Sequence, residues 1–503
     1  MSAKVKRAGG SRRVTTTILA ATAIVFAACH VDSTGPTSQR ARPVIVSAVV
    51  SPNSHNVLSA VVNFSVRNAD SVRVTGRALS ETGTPDSSSA LSTPFQRIGG
   101  AGGTVVLLGL RANTDYAITL EVDGVSGADT AALSFHSAGL PDALSGLELR
   151  GVGAQPAGYT LTDFTSSSAA YMVAFDGSGR LSWYREFPTQ PGESALDAEQ
   201  QSNGHYVLYV GASTGWQPKS GRYFEVNAAG DSVRTWTTGA PYYTDPHELR
   251  LDFRGDTLVR SLMLGYDMRT VDLTSLGGLA AQQVAGHVLV RQNASGEVDF
   301  VWNAWDHFTI ADWLFIQPGL AKMASIDFDH PNSIDEDEHG NYIISFASLG
   351  EITKIDGATG EMLWRFGGRH NQFAIIGDPL NGFGIQHDVR LLPNGNLLLL
   401  DNGVGHVPQE SRAVEYKLDP VARTARMVWQ YRHTPALFAP FAGSAQRLKT
   451  GTTVVAFGAA SHISDVTAAG AVSWEADLLN RGLRVPYLYR ARRLGSLYQP
   501  VQQ

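Results

Sequence analysis

A single cysteine, Cys29, occurs among the 503 residues, so the chain cannot form an internal disulfide bond. Charged residues make up only 17% of the chain and hydrophobic residues 43%, a balance typical of globular proteins that excludes wholesale disorder. No heptad pattern runs through the sequence, which excludes a coiled coil. No Gly-x-x-x-x-Gly-Lys motif occurs, so the sequence does not indicate a loop that cradles nucleotide phosphates.

Basic residues are scarce where a nucleic-acid-binding protein would need them. The formal net charge is −6, and residues 1–28 hold five of the 40 basic side chains and none of the 46 acidic ones. The rest of the chain therefore carries 35 basic and 46 acidic residues, a net charge of −11. Since no basic stripe follows, we expect no nucleic-acid partner, and an anionic ligand would need a local site.

A hydrophobic run at residues 14–28 is too short to span a bilayer comfortably. Its basic flank and its small final residues predict a signal peptide over residues 1–28. Residues 26–29, Phe-Ala-Ala-Cys, resemble a bacterial lipobox, so we predict lipidation of Cys29. Phe26 differs from the usual Leu, Val or Ile, which leaves plain secretion and a free thiol as alternatives. The protein is expected to be exported, either periplasmic or held at a membrane through a lipid anchor only.

Two regions precede the main body of the chain. Residues 29–42 are rich in Ser, Thr, Gly and Pro and are predicted to form a flexible tether. Residues 43–138 contain short alternating runs between turn residues, a pattern typical of a β-sandwich. The run from Gly109 to Tyr116 resembles the corner of a fibronectin type III domain, where a tyrosine hydroxyl holds the chain reversal. This domain contains no cluster of reactive side chains and is interpreted as a spacer or docking module.

Residues 148–500 repeat one plan six times: an alternating strand, a turn near glycine, and a strand that reaches tryptophan. Repeats of about this length with three or four antiparallel strands each are typical of a β-propeller, which closes a ring without long exposed edges. We therefore predict an all-β protein with a fibronectin type III-like sandwich followed by a six-bladed propeller; unrelated hairpins or a large sandwich are the alternatives. The six tryptophans, 45 to 66 residues apart, are Trp183, Trp236, Trp302, Trp364, Trp429 and Trp474.

Three histidines occupy matched positions in three consecutive repeats. His247, His330 and His387 each lie eight to ten residues before the glycine that opens the next strand. The innermost strand of each propeller blade lines the central channel, so these side chains are predicted to converge at one mouth of the ring. A lone histidine is more often structural, but three at matched positions favour a functional cluster.

Such a cluster suits two kinds of chemistry. Neutral imidazoles bind transition metals, but no close His-x-His or His-x-x-His pair accompanies these three. Alternatively, the cluster holds an anion and supplies a nucleophilic nitrogen, with hydrogen-bond donors such as Asn332 beside it. We expect the second chemistry, with no metal or other cofactor.

The surrounding motifs resemble one family over the chain from about residue 148 to the C-terminus. The motifs are residues 330–335 (HPNSID), 354–356 (KID) with Gly360, 363–368 (LWRFGG), 386–388 (QHD), 401–403 (DNG), 411–416 (SRAVEY) and 489–491 (YRA). In this order they resemble the bacterial PAPS-independent arylsulfotransferases, and the order is far more specific than any single motif.

The resemblance implies an exported six-bladed propeller, often preceded by a β-sandwich. It implies transfer of a sulfuryl group from a phenolic sulfate ester to a phenol, by ping-pong exchange through a sulfated histidine. By position, His387 would be the nucleophile, His330 and Asn332 would hold the sulfate oxygens, and His247 would act as a donor or proton carrier. Sulfuryl transfer resembles phosphoryl transfer, with a loose transition state that nearby donors stabilise.

One position departs from the family pattern. Ala347 stands where the family has an arginine, after the strand that follows the His-x-Asn motif, and a guanidinium there would clamp the sulfate. Arg390, Arg447 and Arg490 are candidate replacements, each with a structural role as the alternative. Ala347 and the added sandwich also favour a second hypothesis, a non-catalytic propeller of the cell envelope that binds an anion or a protein. A metal-dependent hydrolase or lyase that uses the histidines is the third hypothesis.

Overall fold

The computed structural model describes residues 41–212, 221–314, 323 and 325–498. These residues form β-strands joined by turns, and none of them lies in an α-helix, which confirms the all-β prediction. The predicted signal peptide, Cys29 and nearly all of the predicted tether lie outside the described residues. Short 3-10 helices occur at Ser87–Ser89, Asp142–Leu144, Thr274–Leu276, Ala304–Asp306, Ile310–Asp312 and Gly458–Ala460.

The first eight strands form two sheets that face each other. One sheet has the order β1-β2-β6 and the other β4-β3-β7-β8, with β5 also paired to β3. Alternate residues of β3 and β7 are buried between the sheets, as their alternating sequence predicts. The strands are β1 (Val44–Pro52), β2 (Ser59–Arg67), β3 (Ser71–Ala78), β4 (Leu91–Ser92), β5 (Gln96–Arg97), β6 (Gly102–Leu108), β7 (Asp115–Gly124) and β8 (Gly127–His136).

A tyrosine hydroxyl holds one chain reversal in this N-terminal region, at the place the sequence predicts. The backbone N–H of Arg111 donates to the hydroxyl of Tyr116 at 2.6 Å. The region is also attached to the remainder of the chain. The backbone N–H of Leu108 donates to the hydroxyl of Tyr498 at 2.8 Å, and Leu58 packs in a hydrophobic cluster with strands from later sheets. From Arg42 onward, the chain forms one compact unit.

Six further sheets follow one another along the described chain and are called sheets one to six. Sheets one to three have the orders β36-β10-β11-β12, β13-β14-β15-β16 and β17-β18-β19-β20, with β21 parallel to β19. Their strands, apart from β36, are β9 (Leu147–Gly153, which joins sheet six), β10 (Tyr159–Thr165), β11 (Ala169–Asp176), β12 (Leu181–Pro188), β13 (Glu193–Gln200), β14 (Tyr206–Ala212), β15 (Arg222–Val226), β16 (Ser232–Trp236), β17 (Tyr243–Arg254), β18 (Thr257–Val271), β19 (Gln282–Asn293), β20 (Val298–Asn303) and β21 (Ser325–Asp327).

Sheets four to six repeat the antiparallel plan. Their orders are β22-β23-β24-β25, β27-β28-β29-β30-β26 and β31-β32-β33-β34-β35, with β9 also paired to β34. Their strands and β36 are β22 (Pro331–Glu336), β23 (Tyr342–Phe346), β24 (Glu351–Ile355), β25 (Met362–Gly367), β26 (Ala374–Ile376), β27 (Gln386–Leu391), β28 (Leu397–Asp401), β29 (Arg412–Asp419), β30 (Thr424–Arg432), β31 (Ser444–Arg447), β32 (Thr453–Phe457), β33 (His462–Val466), β34 (Val472–Asn480), β35 (Leu483–Arg484) and β36 (Ala491–Leu494).

The last described strand links the two ends of this series. Strand β36 pairs with β10 and so provides the first strand of sheet one. The first strand of each sheet contacts the first strand of the next, and β31 of sheet six contacts β36 of sheet one. Each of the six repeat tryptophans lies on the fourth strand of its sheet. The indole N–H of Trp183, for example, donates to the carbonyl of Ala228 in sheet two at 2.9 Å, which ties neighbouring sheets together.

The first strands of sheets two to five have an irregular backbone. Each of β13, β17, β22 and β27 contains a register shift. Asp197, His330 and Asp388, which lie at or beside these shifts, have positive φ angles of 57°, 45° and 55°. L-residues rarely adopt such angles, and each costs about 1–3 kcal/mol. Bulges of this kind redirect side chains, and here they supply the polar groups described below.

Among the described residues, we find no helical segment with the length and hydropathy needed to cross a bilayer.

Candidate active site

The three predicted histidines lie on adjacent sheets. His247 is in β17, His330 immediately precedes β22, and His387 is in β27, which are the first strands of sheets three, four and five. The rings of His247 and His330 meet edge to face, with centroids 4.6 Å apart. The side chain of His330 is 31% exposed, whereas His247 and His387 are buried. The cluster therefore reaches solvent at His330.

His387 has its two ring nitrogens in different environments. Its Nδ1 lies 2.7 Å from Oδ1 of Asn402, and its Nε2 lies 3.3 Å from the backbone N–H of Ala442. Burial lowers the pKa of His387 to about 3, and the charge of His330 adds to this effect. His387 is therefore a neutral imidazole over the whole physiological range of pH.

The orientation of Asn402 determines which nitrogen of His387 carries the proton. The amide nitrogen of Asn402 donates to the carbonyls of Ala439 and Ala442, at 2.7 and 2.9 Å. Its oxygen must then be the atom that faces His387 Nδ1 and accepts from it. The proton of His387 is consequently on Nδ1, and the lone pair of Nε2 accepts a long hydrogen bond from the backbone N–H of Ala442 at 3.3 Å.

His247 is held in the same tautomer by a carboxylate. Its Nδ1 lies 2.8 and 3.0 Å from the two carboxylate oxygens of Asp245. Burial lowers the pKa of His247, and the charge of Asp245 offsets this only in part. His247 is therefore neutral at pH 7, with the lone pair on Nε2.

His330 differs from the other two in its charge. Its Nδ1 donates to Oδ2 of Asp327 at 2.5 Å, and the backbone N–H of His330 donates to Asp329 at 2.9 Å. Burial lowers the pKa of His330, but the charge and hydrogen bond of Asp327 outweigh it and raise the pKa above its usual value. Of the three predicted histidines, the partly exposed one is thus the one whose surroundings favour a positive charge.

A fourth histidine, His287 on β19, lies behind this cluster. Its Nδ1 donates to Asp329 at 2.6 Å, and its Nε2 is 3.4 Å from Asp245, close enough for an ion pair but without a hydrogen bond. Burial lowers the pKa of His287, but the charges of Asp329 and Asp327 outweigh it and raise the pKa well above its usual value. A protonated His287 therefore links the carboxylates that orient His247 and His330.

One nitrogen of His287 and one oxygen each of Asp327 and Asp329 lie within 4.8 Å of one another, a spacing compatible with a metal ion. In the protonated form of His287, however, both ring nitrogens carry hydrogen and have no lone pair for a metal. The buried carboxylates instead use His287 as their counter-charge.

Asn332 lies on β22, two residues after His330, and is fully buried. Its amide nitrogen donates to the carbonyl of Gln386 at 2.7 Å, while its Oδ1 has no hydrogen-bond partner among the described residues. An amide nitrogen carries two N–H groups, so a second donor remains for a ligand. The hydroxyl of Tyr489 donates to the carbonyls of Asn332 and His247, at 3.4 Å each, and so connects the two strands.

The predicted substrate ligands Arg390 and Arg490 are buried beside these strands, where they bind carboxylates. Arg390 donates to Asp388 at 2.9 Å and to both oxygens of Glu248 at 3.0 and 3.1 Å. Arg490 binds Asp197 at 2.5 Å and Glu248 at 2.8 Å, and also donates to the carbonyl of Asn332 at 2.6 Å. The contacts described for these two arginines hold the bulged strands together. A direct contact of either arginine with substrate stays a prediction.

Two further positions bear on the missing family arginine: Arg447 and Ala347. Arg447, the third candidate cation, pairs with Glu415 at 2.9 Å and stacks over Trp429. Ala347 is buried, and its backbone N–H donates to the carbonyl of His330 at 2.9 Å. The position that holds arginine in the family pattern is therefore next to His330 here.

Sequence reasoning missed five polar residues of the site. Their signal was present in part, because three of them are acidic residues within three positions of a predicted histidine and one belongs to the Asp-Asn-Gly motif. His287 had no such signal, since it reaches the cluster from a different strand of sheet three. The missed residues are Asp245, His287, Asp327, Asp329 and Asn402.

Several solved structures resemble the chain weakly, and no curated protein matches it. A protein of unknown function from Bacteroides caccae is 13% identical, with a TM-score of 0.41, over 67% of this chain and 98% of that one. A catalytically inactive virginiamycin B lyase from Staphylococcus aureus with quinupristin is 9% identical, with a TM-score of 0.32, over 67% and 91%. TolB from Acinetobacter baumannii is 9% identical, with a TM-score of 0.35, over 76% and 80%. At these scores the likenesses define neither fold nor function.

The family comparison is specific. The model of the arylsulfotransferase family (ASST) matches residues 152–480, well over half of the chain, and this span includes all four histidines of the site. The match agrees with the motif order noted in the sequence. The chain belongs to the arylsulfotransferase family.

Proposed function

We propose that the protein transfers a sulfuryl group from an aryl sulfate ester to a phenol through a sulfated His387. The observation that carries the proposal is the tautomer of His387. A buried, neutral imidazole with its proton held on Nδ1 by Asn402 has a nucleophilic lone pair on Nε2. The family membership supports an arylsulfotransferase activity in general.

In the first half-reaction, Nε2 of His387 exchanges its long hydrogen bond from the backbone N–H of Ala442 for the substrate and attacks the sulfur of the aryl sulfate. The S–O bond to the aromatic ring breaks, its electron pair leaves with the phenolate, and an N–S bond forms. Charge spreads over the equatorial sulfate oxygens in such a loose transition state. The second N–H of Asn332 and the protonated ring of His330 are the donors we assign to those oxygens.

Without the family arginine, His330 is the cation that we assign to the sulfate oxygens. The hydrogen bond from its Nδ1 to Asp327 favours the protonated form of His330. Because Ala347 adjoins His330 through a backbone hydrogen bond, the two positions serve the same part of the site. Under this proposal, Arg390 and Arg490 hold the strands that present the donors.

In the second half-reaction, the oxygen of an acceptor phenol attacks the sulfur and the N–S bond breaks. Its electron pair returns to Nε2 of His387, and the phenolic proton passes to Nε2 of His247, which is neutral and oriented by Asp245. Release of the sulfated phenol leaves His387 ready for another donor, and the proton on His247 exchanges with solvent or a departing phenolate.

The fold and location belong to the same proposal. We interpret the six sheets as the blades of a β-propeller, closed by β36, and the first eight strands as a fibronectin type III-like sandwich. The protein is proposed to act outside the cytoplasm after export and lipidation at Cys29, with no nucleic-acid partner. Its substrates would be small aryl sulfates and phenols.

The test is incubation of the purified protein with 4-nitrophenyl sulfate and phenol. We expect nitrophenolate release that phenol accelerates, and a mass gain of one sulfuryl group on the peptide that contains His387 when phenol is omitted. His387→Ala is expected to lower kcat/KM roughly 10³-fold or more and to abolish the adduct.

The matched control is His339→Ala, since His339 is exposed in a turn away from the cluster. It should retain full activity. Turnover that survives His387→Ala would eliminate the sulfohistidine. Binding of sulfate esters by the wild-type protein without any turnover would favour the non-catalytic alternative.

A further inference from the structure

A second group of metal-binding side chains lies between sheets five and six, away from the histidine cluster of the active site. His433 follows β30 of sheet five, His462 begins β33, and Glu475 lies on β34 of sheet six. One ring nitrogen of each histidine and a carboxylate oxygen of Glu475 lie within 4.8 Å of one another. The side chains of the two histidines are 11% and 10% exposed and that of Glu475 is 35% exposed, so the group is open on one side.

Hydrogen bonds determine the tautomer of both histidines. Nδ1 of His433 lies 2.6 Å from the carbonyl of Pro435, which can only accept, so this nitrogen carries the proton. Nδ1 of His462 lies 2.8 Å from the carboxylate of Asp477 and donates to it in the same way. Burial also lowers the pKa of His462, so its ring is neutral at pH 7. In its neutral form, each ring therefore presents the lone pair of Nε2.

These lone pairs face a carboxylate. Nε2 of His433 is 3.3 Å from Oε2 of Glu475, and Nε2 of His462 is 3.8 Å from the same oxygen. Nε2 of His462 is also 3.2 Å from the hydroxyl of Ser464, which can donate to it. Nε2 of His433 and Oε2 of Glu475 are within hydrogen-bond distance, so either a proton on Nε2 or a metal cation in its place can bridge the two atoms.

We propose that His433, His462 and Glu475 bind a zinc ion. Ligands about 2.0–2.1 Å from a tetrahedral zinc are about 3.3–3.4 Å apart, which is close to the separations of Glu475 from the two histidines. Zinc-bound histidines donate their other ring N–H to a carbonyl or a carboxylate, as Pro435 and Asp477 accept here. Two imidazoles and a carboxylate leave the fourth position open to water on the exposed side.

Because of where His433, His462 and Glu475 lie, an ion bound by them would link two neighbouring sheets. His462 and Glu475 belong to one sheet, where β33 and β34 pair directly, and His433 belongs to the neighbouring sheet. A zinc ion would therefore cross-link sheets five and six at their outer strands. An ion that binds only the folded chain raises its resistance to unfolding.

The experiment is a titration of the metal-free full chain with Zn²⁺ by calorimetry at pH 7.5, with Co²⁺ absorption to report coordination by nitrogen and oxygen. We expect one equivalent to bind and the midpoint of thermal unfolding to rise by a few degrees. His433→Gln and His462→Gln should each weaken binding roughly 10²-fold or more, and Asp477→Asn, which keeps all three ligands, about 10- to 100-fold.

His339→Ala is the matched control and should leave zinc binding unchanged, because His339 is exposed and belongs to neither histidine group. Circular dichroism of each metal-free variant establishes that it has folded. The proposal is overturned if the wild-type chain binds no zinc, or if folded His433→Gln and His462→Gln bind it as tightly as wild type. Retention of binding by His387→Ala is expected and assigns the ion to this site rather than to the active site.

Discussion

At the scale of single residues, the site depends on where protons are placed. The matched spacing of histidines in the sequence predicted three members of the cluster, but spacing carries no information about their charge. Asn402 determines the tautomer of His387 only because its amide is held by Ala439 and Ala442, far along the chain. Those contacts join two loops that are 37 to 40 residues apart in the chain, so the orientation of His387 could not be predicted from its own sequence neighbourhood.

Substitution of Asn402 by alanine is expected to lower kcat of sulfuryl transfer roughly 10²- to 10³-fold with little change in KM. The proton of His387 would no longer be confined to Nδ1, so part of the population would carry it on Nε2, where it blocks attack. Nitrogen NMR of the labelled imidazole measures the two tautomers. An Nδ1-protonated ring in the inactive variant would contradict this explanation and point to a structural defect.

The pH dependence of activity follows from two shifts of opposite sign. The pKa of His387 is lowered to about 3, so its lone pair persists and activity should show no loss as pH falls through 6.5. The pKa of His330 is raised above 6.5, so its charge, and with it kcat/KM, is lost as pH rises through the raised value. The dependence of kcat/KM for 4-nitrophenyl sulfate on pH checks both expectations. His330→Gln should remove the loss of activity at alkaline pH. An acid limb near 6.5 that His387 controls would refute the assignment.

At the scale of elements, bulged first strands place the polar groups. The alternating sequence predicts that these segments form strands, and the repeated Gly and Trp positions predict the order of the strands. The register shifts in β13, β17, β22 and β27 were not predictable. They place residues such as Asp388 in the strained left-handed region, which residues other than glycine rarely adopt and which no local sequence signal indicated. That strain is offset by ion pairs between sheets, as when Arg492 of β36 binds both oxygens of Asp388 at 2.6 and 2.7 Å.

The buried pair of Asp465 and Arg493 joins β36 to sheet six. Arg493 donates to both oxygens of Asp465, at 2.9 and 3.0 Å, and each side chain is 5% exposed. Asp465→Ala leaves a buried guanidinium without its counter-charge, so we expect a loss of about 3–5 kcal/mol in the free energy of unfolding. Chemical denaturation measures it. The double variant Asp465→Leu, Arg493→Met should recover most of the loss, and a single variant as stable as wild type would show that the pair contributes nothing.

At the scale of the whole molecule, the two ends of the series of sheets are joined by strands from opposite ends of the described chain. Strand β9 extends sheet six and β36 completes sheet one. The sequence showed six repeats, since each carries its own tryptophan. It did not show that β9 joins the last sheet and β36 the first, because neither strand pairs within its own repeat.

A chain that ends at Leu488 lacks β36, Tyr489 and Arg490. We expect it to lose cooperative thermal unfolding and to become sensitive to proteases, because β10 and β31 lose their neighbour. A chain that ends at Tyr498 keeps every described residue and serves as the control. Protease resistance of the shorter chain equal to that of the control would mean that closure does not depend on β36.

Closure by β36 also couples the stability of the series of sheets to the order of the candidate active site. Tyr489 and Arg490, which contact the carbonyl of Asn332, lie immediately before β36. Strand β36 pairs with β10, more than three hundred residues earlier in the chain. A change that loosens this pairing would therefore also release Asn332, although β36 lies far from the histidines in sequence.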